Sequence, residues 1–283
     1  MYRLFFLILI LLNTSEIFSQ ENKLFILQED SLQKYFEKIK WSESDTEKLL
    51  YNDSIKRVLV HFFNNQESYN YTFTNLKNLG ITYSTDNLFK IFNWNIPMAD
   101  FTNVCFGGIQ YYYEKEYFYE FFNDNFKNIS TPEKEILTSA NWYGALYYKA
   151  IACKAGGAKY YILMGWRGKN EFTSQKVLDV IKLSKKGVKF GASVFKINKE
   201  RKKRVVFEFS SRVSMMLRYD ENYKMIVYDH LSPSKPIYKD QFQYYGPDFS
   251  YDGLKYEKGK WIEYTEIDLR SPDKKTKREK NKN

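Results

Sequence analysis

The pattern of hydrophobic and polar positions begins with a short apolar block. Residues 4–12 are all apolar, follow Arg3, and give way to a polar stretch that reaches Ser19 and Gln20. A basic start, a short apolar stretch and a small residue at the cleavage position are typical of a secretory signal peptide. The block is about half the roughly 20 apolar residues that a membrane-spanning helix needs. We therefore predict that residues 1–19 are removed on export and that no transmembrane segment remains.

From about residue 30 to residue 64, apolar residues recur at a spacing of three and four. This spacing places Leu32 and Phe36 on one face, and later Leu59 and Phe62 on another, which predicts two amphipathic helices. Ser44 and Glu47 have the form of a capping box, in which each side chain satisfies a backbone donor at the start of the second helix. The predicted helical segment spans residues 20–66. Its apolar stripes need either one face of a sheet or each other as a partner.

Beyond about residue 69 the period of the pattern changes to two, and turn signals recur about every ten residues. We predict strands at residues 81–83, 88–94, 103–113, 117–122, 143–153, 159–166, 176–183, 188–197, 204–211, 213–219, 223–230, 254–257 and 260–263. This succession predicts a mainly β domain over residues 67–269, an antiparallel meander that forms a sandwich, a barrel or a propeller-like array. One short helix is expected to begin at Thr131, where Pro132 suits the first helical position.

Composition supports a buried core and adds a positive charge. The chain has 25 Tyr, 23 Phe and 5 Trp, and its formal net charge is +10. Residues 270–283 carry seven basic and two acidic side chains, so half of that charge falls in a segment that we predict to be a disordered basic tail. A positive charge can serve nucleic acid or an anionic surface. Because an exported protein seldom meets nucleic acid, no nucleic-acid partner is predicted.

Cys105 and Cys153 are the two cysteines of the chain, and both lie in apolar, strand-like surroundings. In an oxidising compartment they could form a disulfide, but isolated cysteines are also typical of a core as small apolar side chains. A Cys105–Cys153 disulfide is therefore possible. With only two His, the spacing of these residues matches no zinc site, and no metal or cofactor is predicted.

Two segments are candidates for ligand binding. The first is the glycine-flanked loop that follows the strand at residues 159–166, where Trp166 offers a flat apolar face, Arg167 offers a planar fork for carboxylate or phosphate, and Asn170 lies beside them. The second is the hairpin at residues 106–122, which carries aromatic residues on both of its faces, more than a single apolar core can bury. Tyr111 and Tyr113 are its candidate exposed residues. The alternative for the loop is an ordinary β-turn whose Trp166 packs at the edge of a core. The alternative for the hairpin is a sheet that is buried on both faces.

Asp229, His230 and Ser232 supply the three group types of a hydrolase triad within four residues. Neighbouring residues on a strand point to opposite faces, so Asp229 and His230 could not readily orient each other. The carboxylates of Asp179 and Glu208 fall within strand patterns, where they are more typical of a solvated face than of a paired active site. No catalytic residue is predicted.

The segment from Trp142 to Trp261 resembles an uncharacterised family of secreted, β-rich bacterial proteins. The shared elements are Trp-Tyr-Gly-Ala-Leu-Tyr-Tyr at 142–148, Leu-x-Gly-Trp-x-Gly-x-Asn at 163–170, Phe-Gly at 190–191, Arg-Tyr at 218–219, Asp-His-Leu-Ser-Pro at 229–233, Tyr-Gly-Pro-Asp at 245–248 and Tyr-Asp-Gly at 251–253. The resemblance implies export and an all-β body, and it transfers no functional residue.

The function that these patterns favour is non-catalytic binding of a glycan or a protein partner at the cell envelope. The protein would work outside the cytoplasm, in a periplasm or as a secreted protein. Two alternatives stay open. One is a hydrolase acting on an envelope or extracellular polymer, with Asp229 and His230 as its best candidates. The other is a structural subunit of an envelope assembly.

Overall fold

The computed structural model describes residues 2–155 and 157–270 of the chain. The chain divides into two compact units, Met1–Leu79 and Gly80–Asn283. Residues 271–283, the greater part of the predicted basic tail, lie outside the described residues. Over the described range, no helix has both the length and the apolar character that crossing a membrane requires.

The first unit contains the two predicted helices, α1 (Tyr2–Trp41) and α2 (Asp45–Asn64). Helix α1 begins earlier than the amphipathic pattern predicted, and it includes residues 2–19 of the predicted signal peptide. The Ser44 side chain caps α2 by accepting a hydrogen bond from the Glu47 backbone N–H at 3.4 Å. In the second half of the predicted capping box, Glu47 does not bond to the Ser44 N–H directly. The Ser42 hydroxyl lies between them, donating to the Glu47 carboxylate at 2.8 Å and accepting from the Ser44 N–H at 3.3 Å.

A buried carboxylate fixes the chain that follows α2. Glu29 of α1 is 2% exposed. Its carboxylate accepts hydrogen bonds from the Tyr71 hydroxyl at 2.6 Å and from the backbone N–H groups of Thr74 and Asn75 at 2.8 and 2.5 Å. Because a buried charge is costly without such partners, Glu29 ties residues 71–75 to α1. Around it the helices bury an apolar core, which consists of Phe25, Leu32, Phe36, Ile39, Ile55, Leu59, Phe62 and Phe63.

The second unit is mainly β, as predicted. Its strands are β1 (Gly80–Tyr83), β2 (Phe89–Pro97), β3 (Asn103–Tyr113), β4 (Glu116–Asn123), β5 (Leu137–Thr138), β6 (Leu146–Ala155), β7 (Ala158–Gly168), β8 (Thr173–Lys182), β9 (Lys189–Phe190), β10 (Phe195–Ile197), β11 (Glu200–Lys202), β12 (Val205–Ser210), β13 (Leu217–Asp220), β14 (Met225–Pro233), β15 (Tyr245–Glu257) and β16 (Lys260–Tyr264).

These strands form three sheets. The first sheet has the order β1-β2-β3-β4, and the third has the order β11-β10-β16-β15-β14-β13. The central sheet has the order β5-β9-β8-β7-β6, and β12 also pairs with β8. Neighbouring strands are antiparallel except for β10 and β16, which run parallel.

Two apolar cores lie on the two faces of the central sheet. On β7, Tyr161 and Leu163 enter the core that is shared with the first sheet, whereas Tyr160 and Ile162 enter the core that is shared with the third sheet. This alternation follows from the two-residue period of a strand. The unit is therefore a sandwich-like stack of antiparallel sheets, the first of the three architectures that the sequence left open.

The short helix predicted at Thr131 does not form. The chain makes a single turn in which the Lys134 N–H donates to the Thr131 carbonyl at 2.9 Å. The next carbonyls bond outside the segment: the Pro132 oxygen accepts from Arg204 at 2.6 Å and the Glu133 oxygen accepts from the Lys203 N–H at 2.7 Å. Because these carbonyls are occupied by the chain that leads into β12, they cannot extend a helix.

The possible disulfide is also not formed, since Cys105 and Cys153 are both free thiols. Cys105 lies in the core between the first and central sheets, and Cys153 packs against the core on the opposite face of the central sheet. Burial raises the pKa of Cys105 to about 12 and that of Cys153 to about 11. Both side chains are small apolar members of a core.

Candidate functional site

The loop predicted to bind a ligand connects β7 to β8. Its shape depends on Asn170, whose side-chain oxygen accepts hydrogen bonds from the backbone N–H groups of Phe172 and Thr173, both at 2.9 Å. Asn170 itself is exposed, and Trp166 near the end of β7 is half-buried. Asn170 is thus available at the surface of a rigid turn.

Arg167 is buried, with 4% of its surface exposed. One terminal nitrogen, Nη1, donates to the Asp124 carboxylate at 2.8 Å and to the Gly144 carbonyl at 2.9 Å, and Nη2 donates to the Asn103 carbonyl at 3.1 Å. The guanidinium carbon lies 4.0 Å from the centre of the Phe126 ring. The planar fork therefore holds the protein's own carboxylate and joins three segments of the chain.

The structure does not bring the two aromatic candidates to this loop. Tyr111 is 1% exposed and belongs to the core between the first and central sheets, and Tyr113 is half-buried against the same core. The Tyr111 hydroxyl lies 3.0 Å from the Ser184 carbonyl and 3.2 Å from the Glu120 carboxylate. Arg167 and Asn170 lie together along one groove, and Tyr111 and Tyr113 do not line it.

That groove consists of two adjoining depressions of about 440 Å³ and 410 Å³, which share Phe126 and Lys169. We call it the Lys169 groove. The first depression is lined by the amide side chains of Asn103, Asn125, Asn128 and Asn170 and by four charged residues, Asp124, Lys127, Arg167 and Lys169. The second is lined by the neutral polar side chains of Ser130, Thr131, Tyr143 and Gln175 and by four charged residues, Glu133, Lys134, Lys169 and Glu208. Neutral donors and acceptors therefore stand beside charged groups along the groove.

Several charged residues of the groove are paired within the protein. The Lys169 ammonium lies 2.8 Å from both carboxylate oxygens of Glu208. Glu133 pairs with Lys202 at 2.7 Å, and Arg167 is held by its carboxylate as described above. Lys127 and Lys134 also line the groove and are exposed to solvent. At the paired residues a charged ligand would have to compete with these ion pairs, whereas a neutral ligand would not.

A hydrogen-bonded chain fixes the second depression. The Gln175 amide donates to the Glu208 carboxylate at 2.9 Å, and the Tyr143 hydroxyl donates to the Gln175 side-chain oxygen at 2.9 Å. Glu208 and Gln175 lie opposite each other on β12 and β8. Burial raises the pKa of Tyr143 well above its usual range, so its hydroxyl stays protonated and remains a donor.

A second polar cluster lies close to Tyr143. Arg204 and Asp179 are both 0% exposed, and the Arg204 Nε donates to the Asp179 carboxylate at 2.8 Å. The same carboxylate oxygen accepts from the Tyr147 hydroxyl at 3.1 Å. The Arg204 guanidinium carbon lies 5.4 Å from the centre of the Tyr143 ring. The sequence signal for this cluster was the carboxylate of Asp179 within a strand pattern, which we interpreted, like that of Glu208, as part of a solvated face.

Two exposed phenylalanines stand next to residues of the groove. Phe101, in the turn between β2 and β3, precedes the lining residue Thr102 and is 64% exposed. Its φ of 60° is a left-handed conformation that costs a bulky residue roughly 1–2 kcal/mol. Phe172 follows Asn170 in the loop after β7 and is 53% exposed.

The hydrolase candidates do not act as a pair. The Asp229 carboxylate accepts from the Met216 N–H at 2.7 Å, whereas the His230 Nδ1 lies 2.7 Å from the Asp252 carboxylate on the neighbouring strand. The pairing of β14 with β15 shifts register between Asp229 and Leu231. The hydrogen bond to Asp252 raises the pKa of His230.

Among the residues that the structure describes, no three His, Cys, Asp or Glu side chains are placed to hold a metal ion. Comparison of the chain with protein-family models, with curated proteins and with solved structures found no match. The candidate site therefore rests on the geometry of the Lys169 groove itself.

Proposed function

We propose that this is an exported protein that binds a neutral glycan, without catalysis, in the Lys169 groove. The observation that carries the proposal is the lining of the groove, where amides and hydroxyls stand beside aromatic rings while several charged side chains are already paired. Ligand sites are typically concave surfaces with a few fixed polar groups that set specificity.

The chemistry of a sugar matches this lining. Each sugar hydroxyl is both a donor and an acceptor. In the first depression the Asn128 amide donates to the Asn125 oxygen at 2.5 Å, and the Asn170 oxygen accepts from its own loop. The Asn128 oxygen and the Asn170 N–H groups would therefore be the acceptor and the donors that meet the sugar. The Glu208 carboxylate is held by Lys169 and Gln175, so its remaining lone pairs can accept from a hydroxyl without a new charge being buried. A neutral polyhydroxylated ligand would leave every ion pair of the groove intact.

The two exposed phenylalanines would supply the apolar contacts. A sugar ring has a face of C–H groups, which packs well on a flat aromatic side chain. Phe101 precedes Thr102 and Phe172 comes two residues after Asn170, and both Thr102 and Asn170 line the first depression. They would contact the sugar units that extend past the amides.

The place of action follows from the predicted signal peptide at residues 1–19. An exported protein with an open, polar groove would meet the glycans of the cell envelope. The envelope is therefore the source in which we would look for the ligand.

A hydrolase acting on an envelope polymer is the second candidate, and the His230–Asp252 pair at 2.7 Å is the observation that favours it. The raised pKa of His230 suits proton donation better than proton abstraction near neutral pH. Incubation with cell-wall polymer and measurement of released reducing ends would detect such an activity. Its loss in His230→Gln would support the second candidate.

The binding proposal is tested on an array of neutral and acidic oligosaccharides with the intact protein. We expect binding to neutral glycans, and we expect Phe101→Ala and Phe172→Ala each to weaken it roughly fivefold, since an aromatic contact is worth about 0.5–1.5 kcal/mol. Phe249→Ala is the matched control, because Phe249 is 94% exposed and has a φ of 70° like that of Phe101, but no residue within two positions of it lines the groove. Binding to acidic glycans alone, binding that the two variants leave unchanged, or no binding at all would contradict the proposal.

A further inference from the structure

The connection between β14 and β15 carries an exposed apolar and basic surface. We call residues 234–244 the β14–β15 loop. Every residue of this loop except Tyr238 is exposed. Ile237 is 77% exposed, and Phe242 and Tyr244 are each 40% exposed. Single exposed apolar residues need no explanation, but three within eight residues concentrate exposed apolar surface on one loop, which we call its apolar patch.

Two lysines accompany this patch. Lys235 and Lys239 are exposed and stand two residues before and two residues after Ile237. The loop contains one acidic residue, Asp240, whose backbone N–H donates to the Tyr245 hydroxyl at 2.9 Å. Apolar and aromatic side chains beside lysines are the composition of segments that lie in the interface of a bilayer.

The loop is also preorganised. The Ser234 N–H donates to the Tyr244 carbonyl at 3.0 Å and closes the loop at its base. The Tyr238 and Tyr244 rings are stacked with their centres 4.1 Å apart. Further backbone hydrogen bonds at Lys239 and Gln241 satisfy donors within the loop. Because backbone groups without partners are costly in a membrane, a loop that bonds internally can enter the interface at low cost.

We propose that the β14–β15 loop binds an anionic lipid surface, with Ile237, Phe242 and Tyr244 entering the headgroup region and Lys235 and Lys239 contacting lipid phosphates. The lysines favour a lipid partner over a protein partner, since the interior of a protein interface is depleted of lysine. This membrane contact is separate from glycan binding in the Lys169 groove and does not depend on it.

The test is co-sedimentation of the protein with vesicles of neutral phosphatidylcholine and with vesicles that contain a third of phosphatidylglycerol. We expect binding to the anionic vesicles and at least tenfold weaker binding to the neutral ones. Lys235→Glu and Lys239→Glu should each lower the partition coefficient by at least fivefold, because one basic residue near an anionic surface is worth roughly that factor. Ile237→Asp should reduce binding at least tenfold.

Ile136→Asp is the matched control, because Ile136 is 56% exposed and lies outside the loop. It should bind anionic vesicles as the unchanged protein does. Three results would overturn the proposal: no binding to anionic vesicles, equal binding to both vesicle types, or an equal loss in Ile136→Asp and Ile237→Asp. If the loop served a second copy of this chain instead, Ile237→Asp would change the oligomeric state in solution and leave vesicle binding unaltered.

Discussion

Replacement of Arg204 by methionine should strongly destabilise the second unit. Methionine fills a similar volume but leaves the Asp179 carboxylate, which is 0% exposed, without its positive partner. Removal of one partner from a buried ion pair costs about 3–5 kcal/mol. Since a domain is stable by roughly 5–15 kcal/mol in total, the loss should be visible as a large shift of the unfolding midpoint.

The double variant Arg204→Met with Asp179→Asn separates the buried charge from the lost contacts. With both charges absent, the amide can still bond to the Tyr147 hydroxyl and the Val180 N–H, which lie 3.1 and 2.8 Å from the Asp179 carboxylate. The remaining cost is that of the Pro132 carbonyl, which loses its Arg204 partner at 2.6 Å in both variants. An unsatisfied buried polar group costs about 1–3 kcal/mol. The double variant should therefore be more stable than Arg204→Met alone.

Urea denaturation followed by tryptophan fluorescence is a suitable assay, because the Trp142 indole donates to the Tyr147 hydroxyl at 3.0 Å and so reports on the cluster. Arg218→Met is the matched control. Arg218 pairs with Asp220 at 2.7 Å but its side chain is 51% exposed, so its loss should cost less than about 1 kcal/mol. An Arg204→Met variant as stable as this control, or a double variant no more stable than the single one, would refute the reasoning.

Three further predictions concern other parts of the second unit. Gly144→Ala should lower the free energy of unfolding by more than about 2 kcal/mol in urea denaturation, because the φ of Gly144 is 77° and an added Cβ would overlap the buried guanidinium of Arg167. An unchanged unfolding midpoint would contradict this prediction. The pKa of His230 is raised by Asp252, so the stabilisation from their pair is complete below the usual value of 6.5 and is lost as pH rises through the raised value. Melting temperatures from about pH 6 to pH 9 should fall less in His230→Gln than in the unchanged protein, and parallel curves would count against the pair. Ellman's reagent should find no rapidly reacting thiol in the native protein and two after unfolding without reductant, since both thiols are unpaired and have raised pKa values, with Cys105 buried and Cys153 half-buried. No thiol after unfolding would show a disulfide.

The strands of the second unit were predictable because apolar and polar residues alternate with a period of two within each of them. The bounds of β3, Asn103–Tyr113, agree with those predicted from the sequence. The first half of β15 was missed, since Gly246, Pro247 and Asp248 read as turn residues there. Those residues are extended because β14 continues beside them after its register shift, a partner that local pattern does not show.

The candidate site was only partly predictable for the same reason. The loop after β7 was identified as a surface feature from its glycines, and Arg167 and Asn170 do lie along a groove. Whether Arg167 faces a ligand depends on Asp124, which is 43 residues away in the chain. Likewise, His230 finds its carboxylate 22 residues away rather than next to it. The roles of Arg167 and His230 are therefore decided by contacts with residues that are distant in the chain. The spacing of residues along one strand does not predict such contacts.

The central claim, that the Lys169 groove binds a neutral glycan, is tested most directly by filling the groove. Asn128 lines the first depression and is exposed, so Asn128→Trp should place a large side chain in the groove while the fold is retained. The measurement is saturation-transfer difference NMR on a neutral envelope oligosaccharide with the intact protein, with Asn128→Trp and with Phe249→Trp as a control outside the groove. We predict saturation transfer with the intact protein and the control, and its loss with Asn128→Trp. Equal transfer to the sugar in all three proteins would contradict the account.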